Sequence, residues 1–335
     1  MAISLLIGAG FSRNWGGWLA SEAFEYLLGR PEIIENSRLN SLLWKYQLAG
    51  GFEYALAELQ AEHQRTSSPS IKADLDSFKS AILAMFNDMN KSFIELIDWD
   101  LQRGYKNQSK TIQSFLAKFD AIFTLNQDLL LEQHYLTGVD LSLMTPKRWD
   151  CATLPGLDFK PSDIPIDSSS KAKGHWTQKG DLNIDIPSSV QPIYKIHGSS
   201  NWVDTDGSPL LIMGGNKSGT IASSPLLKKY LEVFESTLTH SESRLMVIGY
   251  GFGDDHINQH IANGVEKGLK LFNLNPAGAD LATNLNKTRQ SGHIICDSHL
   301  EDLFRKALIG ASRRSLNEIF GENEIEYQKI MRFFD

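Results

Sequence analysis

The sequence predicts an α/β fold, a doubly wound, mostly parallel Rossmann-like sheet carrying a helical insertion. Three observations point there. An apolar run, Leu5-Leu6-Ile7, passes straight into Gly8-Ala9-Gly10. Further short apolar runs at 121–124, 193–196, 245–248 and 270–272 alternate with stretches of helical periodicity. Polar motifs sit immediately after these runs, where ligands bind in such sheets.

Residues 2–8 read as the first strand, buried on both faces. A helix is expected over 17–29, with Ala20, Ala23, Phe24, Leu27 and Leu28 on one stripe and Gly29-Arg30-Pro31 at its end. From about residue 37 to 104 the period is helical and no strand is evident. Leu75, Phe78, Ile82, Met85, Phe86, Met89, Phe93, Leu96 and Ile97 keep helical spacing, and Thr66-Ser67-Ser68-Pro69 divides the region. Residues 31–110 therefore read as a helical insertion within a single domain spanning 1–335. A helix is expected to start at Asp128. Residues 153–190, rich in Pro, Ser, Asp and Lys, show no clear period and read as a binding loop or partner surface. A sixth strand is expected at 293–296. Amphipathic helices at 298–309 and 314–333 make up the C-terminal part, 298–335, and their aromatic residues are expected to face another subunit.

Composition narrows the function. The 335 residues are 41% hydrophobic, which suits a packed core and excludes a disordered chain. A net charge of −7 with no dense Lys/Arg run argues against direct nucleic-acid binding. Cys151 and Cys296 are the only cysteines, so a four-cysteine zinc ribbon is excluded within one chain and a reducing, cytoplasmic setting is expected. The apolar N-terminal run is too short to cross a membrane and lacks the basic flank of a signal peptide.

Four motifs carry the chemistry. The first is Gly8-Ala9-Gly10-Phe11-Ser12, whose backbone N–H groups and helix start are expected to face a phosphate. The second is Thr124-Leu125-Asn126-Gln127-Asp128, the third Lys195-Ile196-His197-Gly198-Ser199. The fourth is Gly249-Tyr250-Gly251-Phe252-Gly253-Asp254-Asp255-His256. Asp128 reads first as a helix N-cap and second as a group that positions Asn126. Asp254, Asp255 and His256 suggest a metal, but acidic groups at a helix start are better explained by capping and the dipole, so no metal is expected. Trp15, Trp18 and Trp202 are candidates both for a pocket wall and for the core.

In this order the motifs resemble the sirtuin family, and most of all the bacterial sirtuin-like NAD hydrolases of anti-phage defence. The resemblance spans about residues 1–30 and 115–300. It implies that Gly8, Ala9, Gly10, Phe11 and Ser12 cradle the NAD diphosphate. It places Asn126, with Asp128, beside the nicotinamide ribose, and makes His197 the catalytic histidine. It sets Gly249, Gly251 and Phe252 near the adenosine half and Asn273 and Asn275 near the adenine ribose. Two departures bear on the activity. Where deacylases carry a Pro-Asp-Phe-Arg element this chain has Gly17-Trp18-Leu19-Ala20, and the zinc ribbon is absent. Both favour NAD hydrolysis over protein deacylation.

The residue types suit that chemistry. The leaving pyridinium departs neutral without a proton, so no carboxylic-acid pair is required. Asn126 offers amide donors and a carbonyl acceptor that stay uncharged at every pH, and is assigned to the ribose and the attacking water. His197 is assigned as general base or ribose-hydroxyl partner. The expected function is hydrolysis of NAD, as substrate, to nicotinamide and ADP-ribose. Restraint is expected through homo-oligomerisation or a separate regulatory protein, on the family's pattern an ATPase or nuclease. The alternatives are an NAD-dependent deacylase or ADP-ribosyltransferase, and a non-catalytic nucleotide-binding subunit.

Overall fold

Five apolar strands build the centre of the sheet. In the computed structural model they are β1 (Ile3–Ile7), β2 (Ala121–Thr124), β6 (Val190–Lys195), β9 (Arg244–Ile248) and β10 (Lys270–Leu274). The structure describes residues 2–48, 51–96, 98–101, 110–136, 141–143, 148–161, 174–283, 299–321 and 323–335. With β3 (Cys151–Thr153) and β11 (Leu308–Ser312) the strands form a seven-stranded sheet in the order β11-β10-β9-β1-β2-β6-β3. Every pairing is parallel, as in a doubly wound Rossmann-like fold. Leu5 stands opposite Ile122 on one side and Met246 on the other, and Leu5, Leu6 and Ile7 are fully buried. A strand covered on both faces needs apolar residues at every position, which is why these runs do not alternate.

The chain winds outward from β1 in both directions: first to β2, β6 and β3, later to β9, β10 and β11. The order reverses at β1, and the crevice above that reversal is where such sheets bind ligands. Hydrogen bonds align the strand exits in a row. Leu125 N–H donates to Ile7 O at 2.9 Å, Ile196 N–H to Thr124 O at 3.0 Å, and Gly249 N–H to Leu274 O at 3.0 Å.

Between the helix α2 (Ala20–Leu28) and β2 the described residues form α3 (Pro31–Ile34), α4 (Ser37–Lys45), α5 (Gly51–Thr66), α6 (Pro69–Ile94) and the short α7 (Ile112–Leu116). Proline at the first position of α6 lacks the N–H that would have no intrahelical partner there. Leu75, Phe78, Ile82, Met85, Met89 and Phe93 form its buried stripe.

The structure departs from the sequence reading in four places. Residues 153–190 are not wholly irregular: β4 (Leu157–Pro161) and β5 (Gly174–Gln178) join β7 (Gly198–Val203) and β8 (Pro209–Leu211) in a second, four-stranded sheet. These strands are half-exposed and partner distant segments, so no local period announced them. The edge strand β11 replaces the end of the helix expected over 298–309, since Gly310 and the pairing with β10 override helical propensity. The helix expected from Asp128 is one short turn followed by a π-turn, Glu132–Leu136. Phe320, Phe333 and Phe334 face their own chain, against Phe115 and Phe119, rather than a partner. The strand expected at 293–296 and Ile97 lie outside the described residues. Among the described residues no helix is long and apolar enough to cross a membrane.

Candidate functional site

The glycines of the first and fourth motifs interlock. Gly8 N–H donates to Ile248 O and Gly10 N–H to Gly249 O, each at 2.9 Å. A Cβ on Gly8 would lie 2.7 Å from Gly249 O, and one on Gly249, whose φ is +67°, would lie 2.3 Å from Phe11 N. Neither position admits a side chain. Phe11 N–H also bonds internally, to Gly8 O at 2.9 Å. The amides of Gly8, Gly10 and Phe11 are thus already paired within the protein. The glycines bring two loops into contact and form the floor of a cleft of about 1260 Å³.

Asn126 stands on that floor at the exit of β2. Its backbone N–H donates to Thr124 Oγ1 at 3.0 Å. Its Nδ2 donates to Ser12 Oγ at 2.9 Å, and Ser12 Oγ in turn donates to Asp128 Oδ2 at 2.8 Å. A hydroxyl has one proton, so Ser12 can only accept from Asn126. This fixes the amide orientation and leaves Oδ1 of Asn126 for a ligand in the cleft. Asp128 serves both roles read from the sequence. Its Oδ1 accepts from Leu130 N–H at 3.1 Å at the start of the short helix, and its Oδ2 holds Ser12. Burial pushes the Asp128 carboxyl above its usual range, opposed by the Lys195 ammonium. Lys195 Nζ donates to Asp128 O and to Glu132 Oε1, both at 2.6 Å, and all three residues are buried. Lys195 is a supporting residue of the site that its motif alone does not reveal. A lysine inside an apolar strand was the signal that it needed a buried partner.

His197 follows β6 and is 3% exposed. Its Nε2 lies 3.1 Å from Nε2 of His256, in the first turn of α10 (Asp255–Glu266). Burial pulls the His197 imidazole down to about 3, with Asp254 opposing, and burial also lowers His256. The capping explanation of Asp254 does not hold for its side chain, which makes no capping bond. It pairs instead with Lys217 Nζ at 2.8 Å, and Lys217 reaches Glu53 of α5 at 2.7 Å. Burial works against the Lys217 ammonium, but Glu53 and Asp254 outweigh it and hold its pKa above the ordinary lysine value. His197, Asp254 and His256 have ligand-type atoms within 4.8 Å of one another. The carboxylate among them is already neutralised by Lys217, and the two imidazoles face each other as a hydrogen-bonded pair.

Gly8, Ala9, Gly10, Asn126, Asp128 and His197 line one cleft, together with Gly249, Gly251 and Asn275. Ser12 supports Asn126 from behind. Like Ser12, three further expected binding residues do not line it. Phe11 is fully buried against Trp15 and Trp99. Phe252 packs on Tyr250 and Phe304. Asn273 is buried, its amide donating to Gly278 O at 3.0 Å. Asn273 lies within β10, whereas Asn275 follows the strand's last residue and lines the cleft. Of the tryptophans, Trp18 lines the cleft, Trp15 stacks on Trp99 and Trp202 is core. The insertion contributes an apolar wall of Phe52, Met85 and Met89, and Arg313 and Arg314 stand at the end near Asn275. The helical spacing of Met85 and Met89 in the sequence points only to a core stripe.

No curated protein matches the chain. Residues 120–273 match the family model described as SIR2-like domain. That segment contains Asn126, His197 and the Gly249–His256 loop, and its similarity to a domain of NAD-dependent enzymes supports a sirtuin-like family for this chain.

Proposed function

We propose that this cleft hydrolyses NAD to nicotinamide and ADP-ribose. The observation that carries the reading is the joint placement of Asn126 and His197 on one cleft at the β1 reversal, with the Asn126 amide oriented by Ser12. The C1′–N bond to the pyridinium breaks and nicotinamide leaves neutral with the bonding electron pair. A water oxygen then bonds to C1′. Asn126 Oδ1 accepts a hydrogen bond from that water or from a ribose hydroxyl. His197, neutral because it is buried, takes the proton the water loses. The glycine floor admits the dinucleotide close to backbone, and Trp18, Phe52, Met85 and Met89 supply an apolar wall that limits competing water. No step uses a metal.

The resemblance to sirtuin-like defence enzymes supports a role as the effector of a bacterial anti-phage system acting in the cytoplasm by removing NAD. Restraint by self-association or by a separate ATPase or nuclease partner belongs to the same reading. Incubation of purified protein with NAD, with and without an acylated peptide, tests it. Peptide-independent release of nicotinamide and free ADP-ribose is the expected result. Nicotinamide released only with peptide, as acylated ADP-ribose, would assign a deacylase, and ligand stabilisation without turnover a non-catalytic binding subunit.

A further inference from the structure

Asn126 and His197 stand at the exits of β2 and β6, so a dinucleotide whose nicotinamide ribose meets them extends the other way, across β1 and β9 toward β10 and β11. Neighbouring strands lie about 4.8 Å apart, which sets the exit of β10 about 14 Å from that of β2. The adenosine half therefore reaches the end of the cleft lined by Asn275, Arg313 and Arg314. Hydrogen bonds fix that end. Asn275 N–H donates at 3.0 Å to the carbonyl of Ser312, the last residue of β11, and Arg313 follows directly. Leu316 N–H donates to Asn14 Oδ1 at 3.0 Å, and Asn14 Nδ2 to Phe11 O at 2.9 Å, so the arginine-bearing segment is tied to the glycine turn. The Arg313 side chain lies across the turn after β10. A Cβ on Gly278, whose φ is +56°, would meet Arg313 Cγ at 2.8 Å and Nε at 3.1 Å. Sites that select NAD carry a carboxylate that takes the ribose 2′-hydroxyl. The residue at the exit of β10 is the neutral Asn275, whose Oδ1 accepts Ala277 N–H at 2.9 Å. Arg313 pairs with Asp280 at 2.7 Å and Arg314 with Glu318 at 3.0 Å. All four side chains are exposed, and pairs of that kind are weak enough for a dianionic phosphate to displace.

We propose that Arg313 and Arg314 bind a phosphate on the 2′-oxygen of the adenine ribose, so that NADP is a better substrate of this cleft than NAD. The proposal rests on the hydrolytic reading above and names the dinucleotide it acts on. The bond that breaks is the same C1′–N bond, and water again adds to C1′. The products are nicotinamide and the 2′-phosphorylated ADP-ribose, and the phosphate itself is unchanged. Its oxygens accept the N–H groups of both guanidinium forks as Asp280 and Glu318 give them up. A chain of net charge −7 thus keeps two adjacent cations where the one further anionic group of NADP would lie.

The test measures nicotinamide release from NAD and from NADP by the full chain, by Arg313→Ala, by Arg314→Ala and by the double variant. Wild type is expected to favour NADP on the order of 10-fold in kcat/KM. Each single variant should lose part of that ratio and the double variant all of it. Both arginines are exposed, so thermal midpoints should match wild type. A wild type that favours NAD or treats the two alike, or a preference for NADP that survives in the double variant, would overturn the site. If wild type releases nicotinamide from neither, the hydrolytic reading fails and the phosphate site is judged by binding alone. Isothermal titration with adenosine 2′,5′-bisphosphate and with 5′-AMP then decides. Affinity on the order of 10-fold higher for the bisphosphate, lost in the double variant, supports the site, and equal affinity overturns it.

Discussion

Ser12 Oγ accepts the amide N–H of Asn126 at 2.9 Å, although the two residues come from different motifs that follow neighbouring strands. The bond matters because an asparagine amide presents opposite chemistry on its two ends. Held by Ser12, Asn126 keeps its carbonyl oxygen and one remaining amide hydrogen for the cleft. Ser12→Ala removes the holder and leaves the amide able to turn over. One neutral hydrogen bond is worth about 1 kcal/mol, so turnover should fall roughly 10-fold with little change in thermal midpoint. Steady-state kinetics with NAD checks this, and an unchanged kcat would show that the amide is oriented by something else.

The interlocked loops make a second prediction. Gly249→Ala places a Cβ 2.3 Å from Phe11 N in a backbone that L-residues rarely adopt. The left-handed conformation alone costs on the order of 1 kcal/mol, and the clash adds to it. The variant should melt lower than wild type and lose NAD-induced stabilisation. Gly251→Ala, where a Cβ meets open space, should keep its midpoint. Differential scanning fluorimetry with and without NAD separates the two.

Lys195 and Glu132 form a buried ion pair beneath Asp128, with side chains 2% and 7% exposed. Lys195→Met leaves Glu132 buried without its cation, which costs about 3–5 kcal/mol. Denaturant titration should show a clear drop in midpoint. A loss under 1 kcal/mol would mean that water or a rearranged neighbour replaces the ammonium.

The His197 imidazole also sets a pH dependence of stability. Its folded pKa of about 3 lies below the unfolded value near 6.5, so between these limits the unfolded chain binds the extra proton. Stability contributed by neutral His197 is present above about pH 6.5 and is lost as pH falls through that window, at up to about 1.4 kcal/mol per pH unit. Asp254, Lys217 and His256 face the same ring, so the clean comparison is wild type against His197→Gln. The stability difference should shift toward the variant on acidification from pH 7 to 5. Parallel pH curves would place His197 in solvent contact.

The central strands were legible because a strand buried on both faces must be apolar throughout, as in Leu5-Leu6-Ile7. The placement of Asn126 and His197 just after strands was legible for the same reason. The second sheet was not, because β5 and β7 pair across distant sequence and Trp176 and Trp202 meet only in the fold. The His197–His256 and Lys217–Glu53 contacts were invisible too. Each joins segments whose proximity depends on the sheet order and the insertion, and no spacing rule encodes that. Asp254 shows the limit most directly: its position before a helix suggested a cap, while its partner is a lysine from another helix.

In the proposed reaction Asn126 is the polar group that serves the ribose carbon. Nicotinamide release from NAD by Asn126→Ala, measured beside wild type at matched thermal midpoint, tests it most directly. A preorganised group of this kind is worth on the order of 10²–10³-fold in turnover, and that loss is the predicted result. Release by the variant at the wild-type rate would contradict it.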